Sequence, residues 1–193
     1  MKRNYVTLLL LAAFAISCGS SSSKKETSES LKDEALLSQK AFLNNLASLC
    51  GKTFVGQEDF IREGRESWSD KEFVMHVTVC DENKVHIPFH LSEDHSRTWQ
   101  FTLEEQGLRF RHDHRYPDGT PEEKNLYGGY ADGTGTAFWQ NFPSDEYTLE
   151  MLADDNNRQW RVELAEDFSL LTYQLYYSDD LLFQASFDLT APL

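Results

Sequence analysis

The sequence lacks the short motifs that mark many enzyme active sites. It has no nucleophile motif around a Ser or Cys, no zinc-ribbon spacing of cysteines and no EF-hand loop. Its glycine-rich stretches, 128–129 and 132–135, do not lead into a helix as a phosphate-binding loop does. They are typical of a turn and of tight sheet curvature. Sequence motifs therefore identify no reaction.

Basic residues are few relative to acidic residues. The chain has 18 Lys and Arg against 32 Asp and Glu, and its formal net charge is −14. A surface with this excess of negative charge repels phosphate backbones, so we expect no nucleic-acid partner. The chain also has no internal repeat and no second linker, which predicts a single domain after the N-terminal segment.

The N-terminus lacks an apolar run long enough to cross a membrane. The run at 6–16 follows Lys2 and Arg3, but it falls short of the roughly 20 residues that a spanning helix needs. This arrangement is typical of a signal peptide, which we assign to residues 1–17. Residues 18–31 are poor in apolar side chains and are expected to form a flexible tether.

The leader ends in Ala15-Ile16-Ser17-Cys18, which resembles the bacterial lipobox. The resemblance implies that Cys18 is lipidated, for example with palmitate, and holds the protein on a lipid bilayer. It thus implies a lipoprotein of the bacterial cell envelope, and Gly19, in place of an Asp, favours the outer membrane. The alternative is an ordinary signal peptide that happens to be followed by a cysteine.

Cysteine is scarce, and only Cys50 and Cys80 remain beyond the leader. The periplasm permits disulfides, and a hairpin within 53–79 would bring the two cysteines opposite each other. A bridge there would close a loop of about 30 residues and contribute roughly 3 to 4 kcal/mol. The alternative is two buried free thiols. The same register puts Phe54 on the face of His76, which is the expected outer face, so either the first strand is bulged or the register is different.

Apolar residues in 32–49 recur at helical spacing, and the period then changes from 3.6 to 2. We therefore predict one amphipathic helix followed by a mainly all-β fold, which together form a domain at 32–193. The 13 Phe, 8 Tyr and 4 Trp favour a β-rich interior. About eleven strands, one of them at 147–152, predict an up-and-down antiparallel meander. We expect it to close into a barrel of about eight to ten strands, because open aromatic edges aggregate.

A helix followed by strands that begin with Gly-Lys-Thr-Phe at 51–54 resembles the lipocalin and fatty-acid-binding (calycin) barrels over residues 50–190. The resemblance implies a barrel wide enough to hold one small ligand. It carries over no ligand and no binding residues, because the Gly-x-Trp motif and the arginine of the last strand are missing. The block at 99–119 is also similar to one found in uncharacterised bacterial secreted proteins.

A hairpin of strands 96–104 and 107–115 predicts the character of the interior. Opposed residues of an antiparallel pair share a face. The inward pairs are Leu103 with Leu108, Phe101 with Phe110, Trp99 with His112, and Arg97 with His114. The preceding strand is expected to place Phe89 opposite Trp99 and Ile87 opposite Phe101. The face runs from aliphatic to cationic, which is typical of a pocket with a polar mouth or of a core strand that runs out to solvent.

This inner face supplies the candidate ligand-binding residues. The apolar walls are Phe89, Trp99, Phe101 and Phe110, and the polar end is formed by Arg97, His112 and His114. A guanidinium at the polar end can grip an anionic group with two hydrogen bonds. The alternative is a structural ion pair of Arg97 with Asp94, Asp113 or Asp118.

The histidines also raise the possibility of a metal site. His112 and His114 lie two apart, about 7 Å on one strand face, so both imidazoles could reach one Zn²⁺ or other transition-metal ion. A third ligand would come from the loop at 92–96. The H-x-H pair alone does not define a site, and we expect no cofactor. His86 and His90 lie about 13 Å apart on a strand, so they cannot share a metal and are expected to face solvent.

Three functions remain open at this stage. The first is a tethered barrel that binds a small apolar or amphipathic ligand, and an empty apolar cavity would favour it. The second is an enzyme with an acid/base or metal site, which needs His112 and His114 to converge with an acidic neighbour. The third is a structural or interaction protein of the envelope, which a fully packed interior would favour.

Overall fold

The computed structural model describes residues 20–153 and 157–193, with side chains from residue 29 onward. The predicted leader, the lipobox Cys18 and most of the polar turn expected at 154–157 therefore lie outside the described residues. A long helix, α1 (Ser20–Ala47), precedes the sheet. It begins within the segment predicted as a tether.

The C-terminal half of α1 packs against the sheet. Phe42, Leu43 and Leu46 are buried, whereas Leu36 and Leu37 are 42% and 68% exposed. The helical spacing predicted Leu36 and Leu37 on the apolar face as well, but the buried side chains that the structure describes in α1 begin at Gln39. Within the described residues, no helix combines the length and apolar character that a membrane crossing requires.

Eleven strands and a short second helix follow within the described residues. They are β1 (Thr53–Ile61), β2 (Phe73–His76), β3 (Val79–Asp81), β4 (Lys84–Leu91), β5 (Asp94–Glu104), β6 (Gly107–His114), β7 (Tyr127–Tyr130), β8 (Trp139–Pro143), α2 (Glu146–Leu152), β9 (Arg158–Leu164), β10 (Leu170–Tyr177) and β11 (Asp180–Asp188). The order in the sheet is β7-β6-β5-β4-β2-β1-β11-β10-β9-β8, and β3 pairs with β4 beside this path. Every pairing is antiparallel, which confirms a mainly β fold.

The sheet curls into a nearly closed barrel, and the first and last strands pair with each other in its middle. The seam lies between β7 and β8, where the Asp132 amide donates to Asn141 O at 3.1 Å and the Asp145 amide donates to Gly128 O at 3.1 Å. The backbones meet closely, since a Cβ at Gly129 would lie 1.8 Å from Pro143 O. The glycine pair therefore permits close backbone contact at the seam.

The strand predicted at 147–152 is wrong, because these residues form α2. Asp145 caps the helix by accepting a hydrogen bond from the Thr148 amide at 3.0 Å. Thr148 Oγ1 also bonds the amide and the carbonyl of Gly128, each at 2.7 Å, so α2 ties β7 in place. Tertiary contact at the seam thus outweighs the strand-like alternation of Tyr147 and its neighbours.

The β5–β6 register is as predicted, from Arg97 opposite His114 to Leu103 opposite Leu108. The β4–β5 register is wrong by two residues, because Phe89 lies opposite Arg97 and Ile87 opposite Trp99. The loop expected at 92–96 is shorter than predicted, and the ladder shifts between Phe89 and Leu91. A shift of two keeps every side chain on its predicted face.

The disulfide between Cys50 and Cys80 is confirmed, with 6.1 Å between the Cα atoms. Of the two alternatives for Phe54, a bulge or a different register, the structure shows the different register, since Thr53 faces His76 and Phe54 faces Met75. Phe54 therefore points into the core without a bulge at that position. The register shift in β1 occurs further along the strand, between Glu58 and Phe60, where β1 pairs with β11.

Helix α1 closes one end of the barrel. Phe42 packs edge-on against Phe101 at 6.2 Å, and Phe101 stacks on Phe110 at 4.6 Å. Phe142 fills the remaining space beside both rings. Gln39 accepts a hydrogen bond from the Leu108 amide at 2.8 Å and so docks the helix on the β5–β6 turn. This end of the interior is filled.

Candidate functional site

The opposite end of the barrel contains a cavity of about 470 Å³. Five of the candidate residues line it: Phe89, Arg97, Trp99, His112 and His114. Phe101 and Phe110 do not, because they belong to the packed end beneath it. The hairpin thus runs from the filled end to the cavity, as the gradient along its inner face indicated.

A stack of rings separates the cavity from the packed end. Trp99 on β5 stacks on Tyr173 on β10, with centroids 4.7 Å apart and planes 6° apart. Phe89 stacks on Trp99 at 5.0 Å and 19°. Since β5 and β10 are not neighbours in the sheet, the Trp99–Tyr173 contact spans the interior. We call this pair the floor of the cavity.

His112 is bonded into the floor through both ring nitrogens. Its Nδ1 lies 3.2 Å from Tyr127 O, which can only accept, so Nδ1 carries the hydrogen. Its Nε2 therefore accepts from the Tyr173 hydroxyl, at 2.9 Å. Burial lowers the pKa of His112 to about 3. The imidazole is neutral at physiological pH and offers no unoccupied nitrogen to a metal or a substrate.

His114 lies at the cavity wall in a different setting. Its Nε2 is 2.9 Å from the Tyr127 hydroxyl, and its Nδ1 is 3.8 Å from Glu122 Oε2, too far for a hydrogen bond. Burial lowers the pKa of His114 and raises the pKa of Tyr127 to about 12. Asn125 fixes the strand end by accepting from the His114 amide at 2.6 Å. His114 is thus the candidate acid/base group that retains a nearby carboxylate.

Charged side chains surround the mouth of the cavity. Arg97 pairs with Asp94, which is one of the structural ion pairs left open above, and its guanidinium lies 5.5 Å from the Trp68 ring centre. Partial burial raises the pKa of Asp94, but hydrogen bonds from Ser96 and Arg97 outweigh it and bring the pKa to about 2. Arg65, Glu66 and Arg158 also line the cavity. The mouth therefore carries guanidinium groups with carboxylates beside them.

The loop between β1 and β2 covers one side of the cavity. Glu58 accepts hydrogen bonds from the Trp68 amide and the Ser67 hydroxyl, both at 2.7 Å. Trp68 packs edge-on against Phe183 at 5.4 Å and lines the cavity beside Arg97. The loop is thus held by both polar and aromatic contacts.

A metal site at His112 and His114 gains no third ligand. Within residues 20–153 and 157–193, no group of three or more His, Cys, Asp or Glu side chains is arranged to hold a metal ion. Asp94, in the loop expected to supply that ligand, is paired with Arg97, and His95 stacks on His90 instead. The metal hypothesis for this end of the barrel therefore finds no support in the geometry.

Sequence reasoning missed Tyr173, Trp160 and Trp68 as cavity residues. Tyr173 lies between Leu171 and Leu175 in a strand of alternating burial, so the sequence pattern could have predicted that its side chain points inward. The contact of Tyr173 with Trp99 could not be predicted from the sequence, because it joins strands on opposite sides of the barrel.

Comparison with protein-family models, curated proteins and solved structures found no match to this chain.

Proposed function

We propose that this protein binds a small apolar or amphipathic molecule in the barrel cavity while an acyl anchor holds it in the bacterial envelope. The cavity itself carries the binding part of the proposal. Its volume of about 470 Å³ falls within the range of roughly 300 to 1,000 Å³ that is usual for small-molecule sites. A solidly packed structural barrel would not need this space.

The lining suits a molecule with an apolar body and a polar end. The floor offers the aromatic rings of Trp99 and Tyr173, and the Tyr173 hydroxyl is already paired with His112. An apolar group placed there therefore leaves this hydroxyl hydrogen-bonded. The mouth offers Arg97 and Arg65 to a polar or anionic end.

The N-terminal pattern and the disulfide support the envelope part. A short apolar leader that ends at Cys18 is the lipoprotein pattern, with the outer membrane favoured by Gly19. The Cys50–Cys80 disulfide is stable in an oxidising compartment such as the periplasm. Lipidation at Cys18 would join the membrane to the barrel through α1 (Ser20–Ala47).

Catalysis is the less favoured reading of the same site. A general base should have a pKa near the working pH, and the pKa of His112 is about 3. Acid/base chemistry would therefore depend on His114 with Glu122, which lie 3.8 Å apart. Ligand binding needs no such group.

A fluorescence titration with 1-anilinonaphthalene-8-sulfonate, an amphipathic aromatic probe, tests the proposal. Ala185 is buried and lines the cavity, so Ala185→Leu places three extra carbons in that space. Ala191 is exposed, and Ala191→Leu is the matched control. We expect one saturable site whose affinity falls at least about tenfold in Ala185→Leu only, a loss of about 1.4 kcal/mol. Equal affinities in the two variants would reject the cavity as the site.

A further inference from the structure

Two histidines meet on the outer face of the barrel, away from the cavity. His76 on β2 and His90 on β4 place Nε2 and Nδ1 3.1 Å apart, with ring centres 4.5 Å apart. Both side chains are partly buried. Sequence spacing along β4 suggested only that His90 faces solvent and shares no metal with His86. It could not show a partner on the neighbouring strand.

The contact holds one proton between two nitrogens. The Thr53 hydroxyl lies 2.9 Å from His76 Nδ1. If His76 Nδ1 donates to Thr53, His90 Nδ1 donates to His76 Nε2; if Thr53 donates, His76 Nε2 donates to His90. In either arrangement a single hydrogen lies between Nε2 and Nδ1. Burial lowers the pKa of both His76 and His90, so neither ring tends to take a second proton at neutral pH.

We propose that His76 Nε2 and His90 Nδ1 form a binding site for a divalent late transition-metal ion, with Cu²⁺ as the preferred ion. The metal replaces the hydrogen between the rings. His76 keeps its hydrogen on Nδ1, where Thr53 accepts it, and His90 carries its hydrogen on Nε2. Both rings stay neutral, so no net proton is released.

The separation of the two nitrogens suits this ion. Metal to imidazole distances of about 2.0 to 2.1 Å and the 3.1 Å separation of the nitrogens give an angle of roughly 100° at the metal. This is a cis arrangement that tetragonal Cu²⁺ accepts, with water in the remaining positions, and Cu²⁺ has the highest affinity of the first-row divalent ions for such ligands. Thr53 supplies the outer hydrogen bond that orients a ligating imidazole.

His95 supports the pair without being a third ligand. Its ring stacks on His90, with centroids 3.8 Å apart and planes 12° apart. The lone pairs of two nearly parallel rings lie in separate, parallel planes, so they do not converge on one ion. This agrees with the absence of a three-residue metal group within the described residues. The stack instead restrains the orientation of His90.

Titration of the full-length protein, purified without a polyhistidine tag, with Cu²⁺ tests the site. We expect one site, an electron paramagnetic resonance spectrum with two coordinated imidazole nitrogens, and affinity at least about tenfold weaker in His76→Gln and in His90→Gln. His86→Gln, outward on the same strand as His90, is the matched control and should change affinity less than about twofold. Thr53→Val should weaken binding by about tenfold while the protein still folds.

The opposite results would overturn the proposal. These are unchanged affinity in His76→Gln and His90→Gln, an equal loss in His86→Gln, or a spectrum with a single coordinated imidazole. Thermal unfolding of each variant without metal separates a lost site from a lost fold. If a His→Gln variant unfolds, the two-nitrogen spectrum of the parent protein and the Thr53→Val result still decide the matter.

Discussion

Acidification should destabilise the barrel through His112. The imidazole is fully enclosed by the floor and hydrogen-bonded in its neutral form, and burial lowers its pKa from 6.5 to about 3. Between these two values the unfolded chain binds a proton that the folded chain excludes. The free energy of unfolding therefore falls as the pH falls below about 6.5, and this loss continues toward pH 3.

The size of the effect follows from the two pKa values. Each pH unit within that window lowers the free energy of unfolding by about 1.4 kcal/mol for one such group. At pH 5 the contribution of His112 is therefore a loss of about 2 kcal/mol relative to pH 7.5. Other buried histidines add losses in the same direction, so the contribution must be measured as a difference between two proteins.

Urea unfolding of the parent protein and of His112→Gln at several pH values measures this difference. A glutamine can donate to Tyr127 O and accept from the Tyr173 hydroxyl, but it does not titrate. We expect the gap in free energy of unfolding between the two proteins to change by about 2 kcal/mol from pH 7.5 to pH 5. It should stay constant from pH 7.5 to 8.5, which is the internal control. Parallel curves down to pH 5 would refute the enclosed neutral imidazole.

Three further predictions follow from other parts of the chain. Replacement of both Cys50 and Cys80 by Ser should lower the free energy of urea unfolding by roughly 3 to 4 kcal/mol, and reduced parent protein should match the variant; an unchanged value would contradict the bridge. Cys18→Ser should abolish incorporation of radiolabelled palmitate and release the protein from the membrane fraction, and labelling that persists would reject Cys18 as the anchor. Gly129→Ala should cost about 1 to 3 kcal/mol in thermal unfolding, because its Cβ would meet Pro143 O at 1.8 Å; an unchanged melting temperature would mean that the seam is not tightly closed.

The sequence predicted well what depends on alternation and on short turns. The β5–β6 pairing follows from a two-residue turn and from one rule, that opposed residues share a face, and every pair from Arg97 to Leu103 is as predicted. The predicted β4–β5 register depended on the length of the connecting loop, which the alternation of apolar and polar residues does not determine. That register was wrong by two residues. The prediction of which β4 residues point inward was still correct, because side chains on a strand return to the same face every two residues.

Contacts between distant parts of the chain were not predictable. Tyr173 meets Trp99 across the barrel, and α2 forms because Thr148 bonds Gly128 at the seam. Both contacts depend on how the sheet closes, and the residue pattern of a single strand does not determine this. The depth of the cavity was not predictable for the same reason, because it is set by the Trp99–Tyr173 contact across the barrel. Sequence alone therefore assigned Phe101 to the ligand wall, although the floor separates it from the cavity.

The most direct test of ligand binding in the cavity is a nuclear magnetic resonance titration of the indole N–H signals. The chain has four Trp, of which Trp68, Trp99 and Trp160 line the cavity. Trp139 lies elsewhere, 4.1 Å from the Arg161 guanidinium. Addition of 1-anilinonaphthalene-8-sulfonate should shift the three cavity signals and leave that of Trp139 unchanged. A shift of Trp139 with the other three unmoved would contradict a ligand site inside the barrel.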